Sequence, residues 1–273
     1  MKYNFIHINK CDVEIDFSVE STLKSFKEEV LDHFEQICKN KDVKLILSGG
    51  CDSRFIARCL IELGIPFTAC TYVHKKDLSD YDSLVSTSFC RQWKINHEPI
   101  YLDERLFSEF VMHRSQTNRV VHRVFNLYMM EYMMKLQQDK GFQGIFLSGA
   151  CSEYKVINGK MPITWQCREL IRNNSEKWFN FTTDRILLSY VRHPIFLKEF
   201  KTTKEKGFDI RDKIYKDCFP DTVFPKKNRG SHFHIEDWFN KKLPIIASAN
   251  PMLCVTDLFE WDFEKYLIEK KLI

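Results

Sequence analysis

The stretch Lys44-Leu45-Ile46-Leu47-Ser48-Gly49-Gly50-Cys51-Asp52-Ser53-Arg54 decides how this chain is read. Apolar residues run straight into Ser-Gly-Gly-Cys-Asp-Ser, and helix-forming residues follow from Phe55. That order suits a loop that holds nucleotide phosphates. Gly49 and Gly50 lack Cβ atoms, so the backbone can take unusual dihedrals and approach a ligand closely. Successive backbone N–H groups then line a concavity for anions, and the helix N-terminus adds its own N–H groups and partial positive charge. Ser48 and Ser53 can donate to phosphate oxygens. Asp52 and Ser53 are N-cap residue types and are expected where the helix begins. A carboxylate repels phosphate, so Asp52 belongs there mainly with a Mg²⁺ ion between them. The loop is not a Walker A loop, because the Gly-x-x-x-x-Gly-Lys-Ser/Thr spacing and its lysine are absent. A capped turn alone would need the glycines but not the whole string.

The sequence around this loop has 273 residues, 44% apolar and 29% charged, which supplies an ordinary globular core. A net charge of +4 is too mild to argue for nucleic acid by itself, and leaves that partner open. Ten cysteines are scattered without a Cys-x-x-Cys pair, so zinc ribbons and dithiol motifs are unsupported. The start, Met1-Lys2-Tyr3-Asn4-Phe5, shows no signal-peptide core. No apolar run approaches the roughly 18 residues that span a bilayer. The expectation is a reduced, cytoplasmic protein with buried thiols and no membrane.

Residues 1–17 alternate weakly, as an edge strand or hairpin would. Leu23, Phe26, Val30, Leu31, Phe34 and Ile37 have helical spacing within Ser21 to Lys39. Val43–Leu47 reads as a buried strand. A helix of about ten residues follows from Phe55, with Gly64 as its C-cap. Pro66–Val73 and Glu98–Leu102 read as strands and Leu84 to Trp93 as a helix. Val120 to Lys140 reads as a long helix whose Met129, Met130, Met133 and Met134 fill the core. Gly144–Leu147 reads as a fourth strand. Strand and helix alternate, which predicts an α/β fold with a parallel sheet and helices on both faces. Residues 1–18 are an extension, 19–160 the nucleotide-binding core, and 161–273 a mostly helical C-terminal portion.

A second run, Ile145-Phe146-Leu147-Ser148-Gly149-Ala150-Cys151-Ser152-Glu153-Tyr154, echoes the first. An apolar strand again ends in Ser-Gly, with an acid close behind. Ligands bind beyond the carboxyl ends of strands in such sheets. Asp52 and Glu153 are the natural pair to share Mg²⁺ on a triphosphate.

Together these motifs resemble the asparagine-synthetase-like ATP pyrophosphatases, the PP-loop family, over roughly residues 20–235. Leu47 and Ser48–Ser53 look like the family's pyrophosphate loop. Phe67–Tyr72 with Ser79-Asp80-Tyr81-Asp82 looks like its second strand and acidic loop. Ser148-Gly149-x-x-Ser152-Glu153 is similar to its Ser-Gly-Glu-Gly-Ser-Asp-Glu motif. Val191-Arg192-His193-Pro194-Ile195-Phe196 is similar to its Arg-x-Pro-Phe segment, and Lys226-Lys227 falls where it carries a late lysine. The resemblance implies a three-layer fold of the adenine nucleotide alpha hydrolase (HUP-like) type. It implies ATP and Mg²⁺ as cofactors. Ser48, Gly49, Gly50, Cys51, Asp52 and Ser53 would hold the phosphates. Leu47, Ser148 and Gly149 would line adenosine, Asp52 and Glu153 would hold Mg²⁺, and Lys226 or Lys227 would neutralise the leaving pyrophosphate.

The implied chemistry is adenylation: a carboxylate of a small molecule or peptide attacks the α-phosphate, and an amine or ammonia captures the acyl-adenylate. The family's Glu after the second Ser-Gly is Ala150 here, which sets plain asparagine synthesis in question. Residue 2 is Lys where the family's glutaminase domain has its nucleophilic Cys, so the nucleophile is expected to be an amine of the substrate or of a second substrate, with free ammonia or ammonia from a separate glutaminase as the alternatives. Two other readings are an RNA-modifying member of the same superfamily, using the basic stretch His113, Arg114, Arg119, His122 and Arg123, and a non-catalytic adenine-nucleotide-binding regulator. Cys51 and Cys151 lie in the two loops and could serve redox or sulfur transfer. His232, His234 and Glu236 form a weak metal pattern without a further ligand.

Overall fold

The computed structural model describes residues 16–74, 81–117, 125–149, 160–164, 178–179, 183–203, 210–224 and 258–273. Its centre is a five-stranded sheet built from β1 (Val43–Ile46), β2 (Thr68–His74), β3 (Asn96–Leu102), β4 (Ile145–Ser148) and the later strand Trp178–Phe179. A separate antiparallel pair joins β5 (Lys160–Thr164) to β7 (Leu258–Asp262), so Trp178–Phe179 is β6. The main sheet runs β3-β2-β1-β4-β6, with all neighbours parallel. Strand order grows outward from β1 in both directions. The crossovers therefore diverge between β1 and β4, and a crevice opens there at the strands' carboxyl ends.

Alternate residues of β1 serve opposite layers, because side chains alternate along a strand. Leu45 and Leu47 face a core shared with α1 (Phe26–Cys38), α2 (Cys51–Glu62) and α3 (Tyr81–Trp93). Ile46 faces a second core shared with α4 (Glu104–Thr117) and α5 (Phe125–Asp139). This is the expected three-layer α/β fold. Met129, Met130, Met133 and Met134 are all buried in the second core, where their flexible side chains fill the space between α5 and the sheet. Helix α1 starts at a capping box: the Ser25 hydroxyl accepts from the Glu28 N–H while the Glu28 carboxylate accepts from the Ser25 N–H.

The C-terminal portion carries strands as well as helices. β6 extends the main sheet beside β4. Helices α6 (Asp184–Val191), α7 (Pro194–Thr203), α8 (Arg211–Cys218) and α9 (Phe263–Glu269) pack into the same core as α1 and α2. Phe55 of α2 is fully buried there, stacked on Tyr215 of α8 with ring centroids 4.0 Å apart. Burying a side chain of this size contributes about 2–3 kcal/mol, so α8 is fastened to the helix that leaves the first loop. No helix of the described residues is long and apolar enough to cross a membrane.

Candidate active site at the end of strands β1 and β4

The first loop begins where β1 ends. The Leu47 N–H donates to the Cys70 carbonyl at 2.9 Å, continuing the sheet. The Leu47 carbonyl accepts from Thr71 Oγ1 at 2.8 Å and from Ser86 Oγ at 3.2 Å. Its side chain is buried in the core. Leu47 therefore anchors the loop to β2 and α3. Thr71 spends its hydroxyl hydrogen on Leu47, so at its 3.0 Å contact with His97 Nε2 it accepts, and His97 carries hydrogen on Nε2. Burial depresses the pKa of this imidazole.

Gly49 has φ +75°, in the left-handed region that favours glycine. Gly50 is the N-cap of α2, and no side chain caps the helix. Asp52 and Ser53 were expected as N-caps, but the helix begins at Cys51, so both lie within its first turn. Ser48 and Ser53 approach each other with 3.3 Å between their hydroxyl oxygens. Ser48 Oγ also accepts from the Gly50 N–H at 3.4 Å, and Ser53 Oγ donates to the Gly50 carbonyl at 3.3 Å. Two hydroxyls and an uncapped helix start thus share one small region, with no lysine among its described members.

The second Ser-Gly arrives at the same place. Ile46 of β1 is level with Ser148 of β4 in the parallel register. Gly149 then lies so close to α2 that a Cβ on it would be 2.7 Å from the Ser53 nitrogen and 3.1 Å from Asp52 Cβ. Residues nearly one hundred positions apart in sequence are thus brought together. Ala150, Cys151, Glu153, Lys226 and Lys227 lie outside the described residues. So do Ser79, Asp80, Arg119, His122, Arg123, His232, His234 and Glu236.

Sequence reasoning missed two partners of Asp52. Arg211 Nη1 donates to Asp52 Oδ2 at 3.0 Å and to Oδ1 at 3.3 Å, and Tyr215 Oη donates to Oδ1 at 2.9 Å. Arg211 and Tyr215 are four apart, hence on one face of α8. That spacing is visible in the sequence, but nothing in it names Asp52 as the target. Two further contacts tie α2 to the chain after α8. Arg58 makes a forked contact with Asp221 at 3.0 and 3.2 Å, and Arg54 Nη1 donates to the Val223 carbonyl at 2.9 Å. Phe224 packs against Phe55 and Tyr215, with centroids 6.4 and 5.8 Å away.

No family model matches the chain, and no curated protein matches it. Several solved structures do show a likeness. One is an NH3-dependent NAD synthetase from Campylobacter jejuni, at 14% identity and TM-score 0.38, covering 82% of this chain and 96% of that one. Another is an NMN synthetase from Francisella tularensis, at 14% identity and TM-score 0.35, covering 86% and 98%. A third, described as a predicted subunit of tRNA methyltransferase from Methanocaldococcus jannaschii, has 15% identity and TM-score 0.34, covering 55% and 74%. At such identities and scores the site has to be read from its own residues.

A Mg²⁺ ion at Asp52 meets an obstacle in those residues. Among the described residues no three of His, Cys, Asp and Glu gather as a metal site. The Asp52 carboxylate already faces a guanidinium at 3.0 Å. Two like unit charges 4 Å apart repel by about 4 kcal/mol at an effective dielectric of 20, and a divalent ion doubles that. Among the described residues Arg211 thus competes with a metal for this carboxylate.

Proposed function

We propose that the chain binds ATP with its phosphates at Ser48–Ser53 and is an AMP- and pyrophosphate-forming ligase that adenylates a substrate carboxylate for amide bond formation. The observation that carries this reading is the approach of Gly149 to the first turn of α2, at the point where the crossovers of the sheet diverge. It supports one ligand touching both Ser-Gly turns. Phosphate oxygens would accept from the N–H groups at the uncapped start of α2 and from the Ser48 and Ser53 hydroxyls. Adenosine would lie toward Ser148 and Gly149.

In the reaction, a carboxylate oxygen bonds to the α-phosphorus, and the bond from that phosphorus to the oxygen bridging to the β-phosphate breaks. Pyrophosphate leaves with the electron pair. An amine or ammonia then attacks the acyl carbon, loses a proton, and AMP departs. The protein's share is positioning and charge neutralisation. Lys226 and Lys227 are proposed to neutralise pyrophosphate. The metal role expected for Asp52 has a competitor in Arg211. The buried free thiols Cys38, Cys59, Cys70, Cys90 and Cys218 suit a reducing compartment, the cytoplasm.

The test is incubation with ATP, Mg²⁺ and pools of candidate carboxylates and amines. Pyrophosphate should appear with at least one pool and fall sharply in Ser48→Ala. If no pool yields AMP and pyrophosphate, the reading fails.

A further inference from the structure

Among the described residues, Asp52 takes its side-chain partners from one other element, α8. Arg211 reaches both carboxylate oxygens and Tyr215 reaches one. Arg211 is 4% exposed and Tyr215 fully buried. The helix that presents them is held in place by aromatic packing. Tyr215 lies between Phe55 and Phe224, and Phe26 stacks in the same cluster, 5.7 Å from Phe55 and 6.4 Å from Tyr215. The guanidinium is thus delivered by a fixed element, unlike a surface arginine that swings freely.

We propose that Arg211 is the resident counter-cation of Asp52 and holds divalent metal off this carboxylate unless its guanidinium is withdrawn. The inference rests on the nucleotide reading of the loop for its setting. Its content is that the chain itself supplies the positive charge that the Asp52 position calls for. A divalent ion at this site then arrives with the phosphates of the nucleotide and is held by them, with Asp52 serving to orient Arg211 and α8 beside the loop. Arg211 thus acts through Asp52, as a positioning residue, and its substitution should free that carboxylate for a divalent ion.

Electron paramagnetic resonance of Mn²⁺ tests this without reference to turnover. Wild type and Asp52→Asn should bind Mn²⁺ equally weakly, since asparagine still accepts from Arg211 through its carbonyl. Arg211→Gln should bind Mn²⁺ about tenfold or more tightly than wild type, and the double variant Arg211→Gln with Asp52→Asn should lose that gain. Arg211→Met, which keeps the packing of the stem, replaces Arg211→Gln if circular dichroism shows the latter unfolded. Mn²⁺ binding by wild type that Asp52→Asn abolishes overturns the proposal, as does a folded Arg211 variant with no gain. Calorimetry of α,β-methylene-ATP with wild type separates the two claims. No binding there sinks the nucleotide reading, while the Asp52 dependence of Mn²⁺ binding still decides the role of Arg211.

Discussion

Gly149 touches Ser53 backbone to backbone: the space a Cβ on Gly149 would need ends 2.7 Å from the Ser53 nitrogen. The atoms it would meet are the Ser53 nitrogen and Cα and the Asp52 Cβ in the first turn of α2, which cannot swing aside as the far end of a flexible side chain can. Gly149→Ala must therefore push the end of β4 away from the phosphate loop. Overpacking of this kind costs about 1–3 kcal/mol of stability. The larger effect should be on ligand binding, because the two halves of the site separate. Calorimetry with an ATP analogue should show affinity reduced by about tenfold or more, since 1.4 kcal/mol is a factor of ten, in a protein whose circular dichroism is unchanged.

Arg58 and Asp221 look like equal partners but are not. Arg58 is 6% exposed at its side chain and Asp221 is 55% exposed. The Arg58 guanidinium also lies over the Trp93 ring, 3.7 Å from its centroid. Solvent screens the ion pair, so Asp221→Ala should cost about 1 kcal/mol or less. Arg58→Ala removes the ring contact and a buried aliphatic stem as well, and should cost about 2–3 kcal/mol. Urea midpoints of the two variants check the order. Equal losses would mean that the ion pair alone carries the contact.

Glu98 on β3 sets an acid limit to stability. Burial opposes its charge, but hydrogen bonds from Gln137, Lys140 and Lys44 outweigh burial and bring its pKa from 4.5 down to about 2. A carboxylate held down in the folded state stabilises the fold above its unfolded pKa, and that contribution is lost as pH falls through the folded value. The loss from Glu98 thus falls between about pH 4.5 and pH 2. Glu29, whose burial is outweighed by Arg185 and the Lys24 N–H, adds in the same direction. Urea unfolding followed across this window should show a shallower pH slope in Glu98→Gln than in wild type.

Cys51 should be the reactive thiol among those described. Burial pushes Cys38 and Cys90 up to about 11, and Cys70 and Cys218 up to about 12. Cys59 is fully buried and raised as well. Cys51 is half-buried at the first residue of α2, so reagent reaches it more readily than the buried five. Iodoacetamide labelling mapped by mass spectrometry should modify Cys51 ahead of these five, and ATP should slow it. Labelling of Cys51 that ATP leaves unchanged would place the nucleotide elsewhere.

Legibility in the sequence followed the range of the physics. Ser48–Ser53 could be read because a glycine turn between a strand and a helix is local, and its residue types state their own chemistry. Ser148-Gly149 could be read because it repeats that pattern. Of helix α4 the sequence reading holds only the end, the basic stretch from His113, although Asp103 caps the helix by accepting from the N–H groups of Arg105 and Leu106, and Phe107 and Val111 bury one face. Strand β6 has only two residues, too few for any period to show. The contact of Arg211 with Asp52 spans 159 residues and depends on how α8 packs against α2. No local pattern encodes such a pairing, so only the folded chain reveals it.

The central claim is that the two Ser-Gly turns hold ATP for cleavage between its α- and β-phosphates. ATP labelled at the α-phosphorus, incubated with the protein, Mg²⁺ and a substrate pool that supports turnover, tests it most directly. The label should leave in AMP, with an equal amount of unlabelled pyrophosphate, and Gly149→Ala should suppress both. Label appearing in ADP, with orthophosphate released, would contradict it.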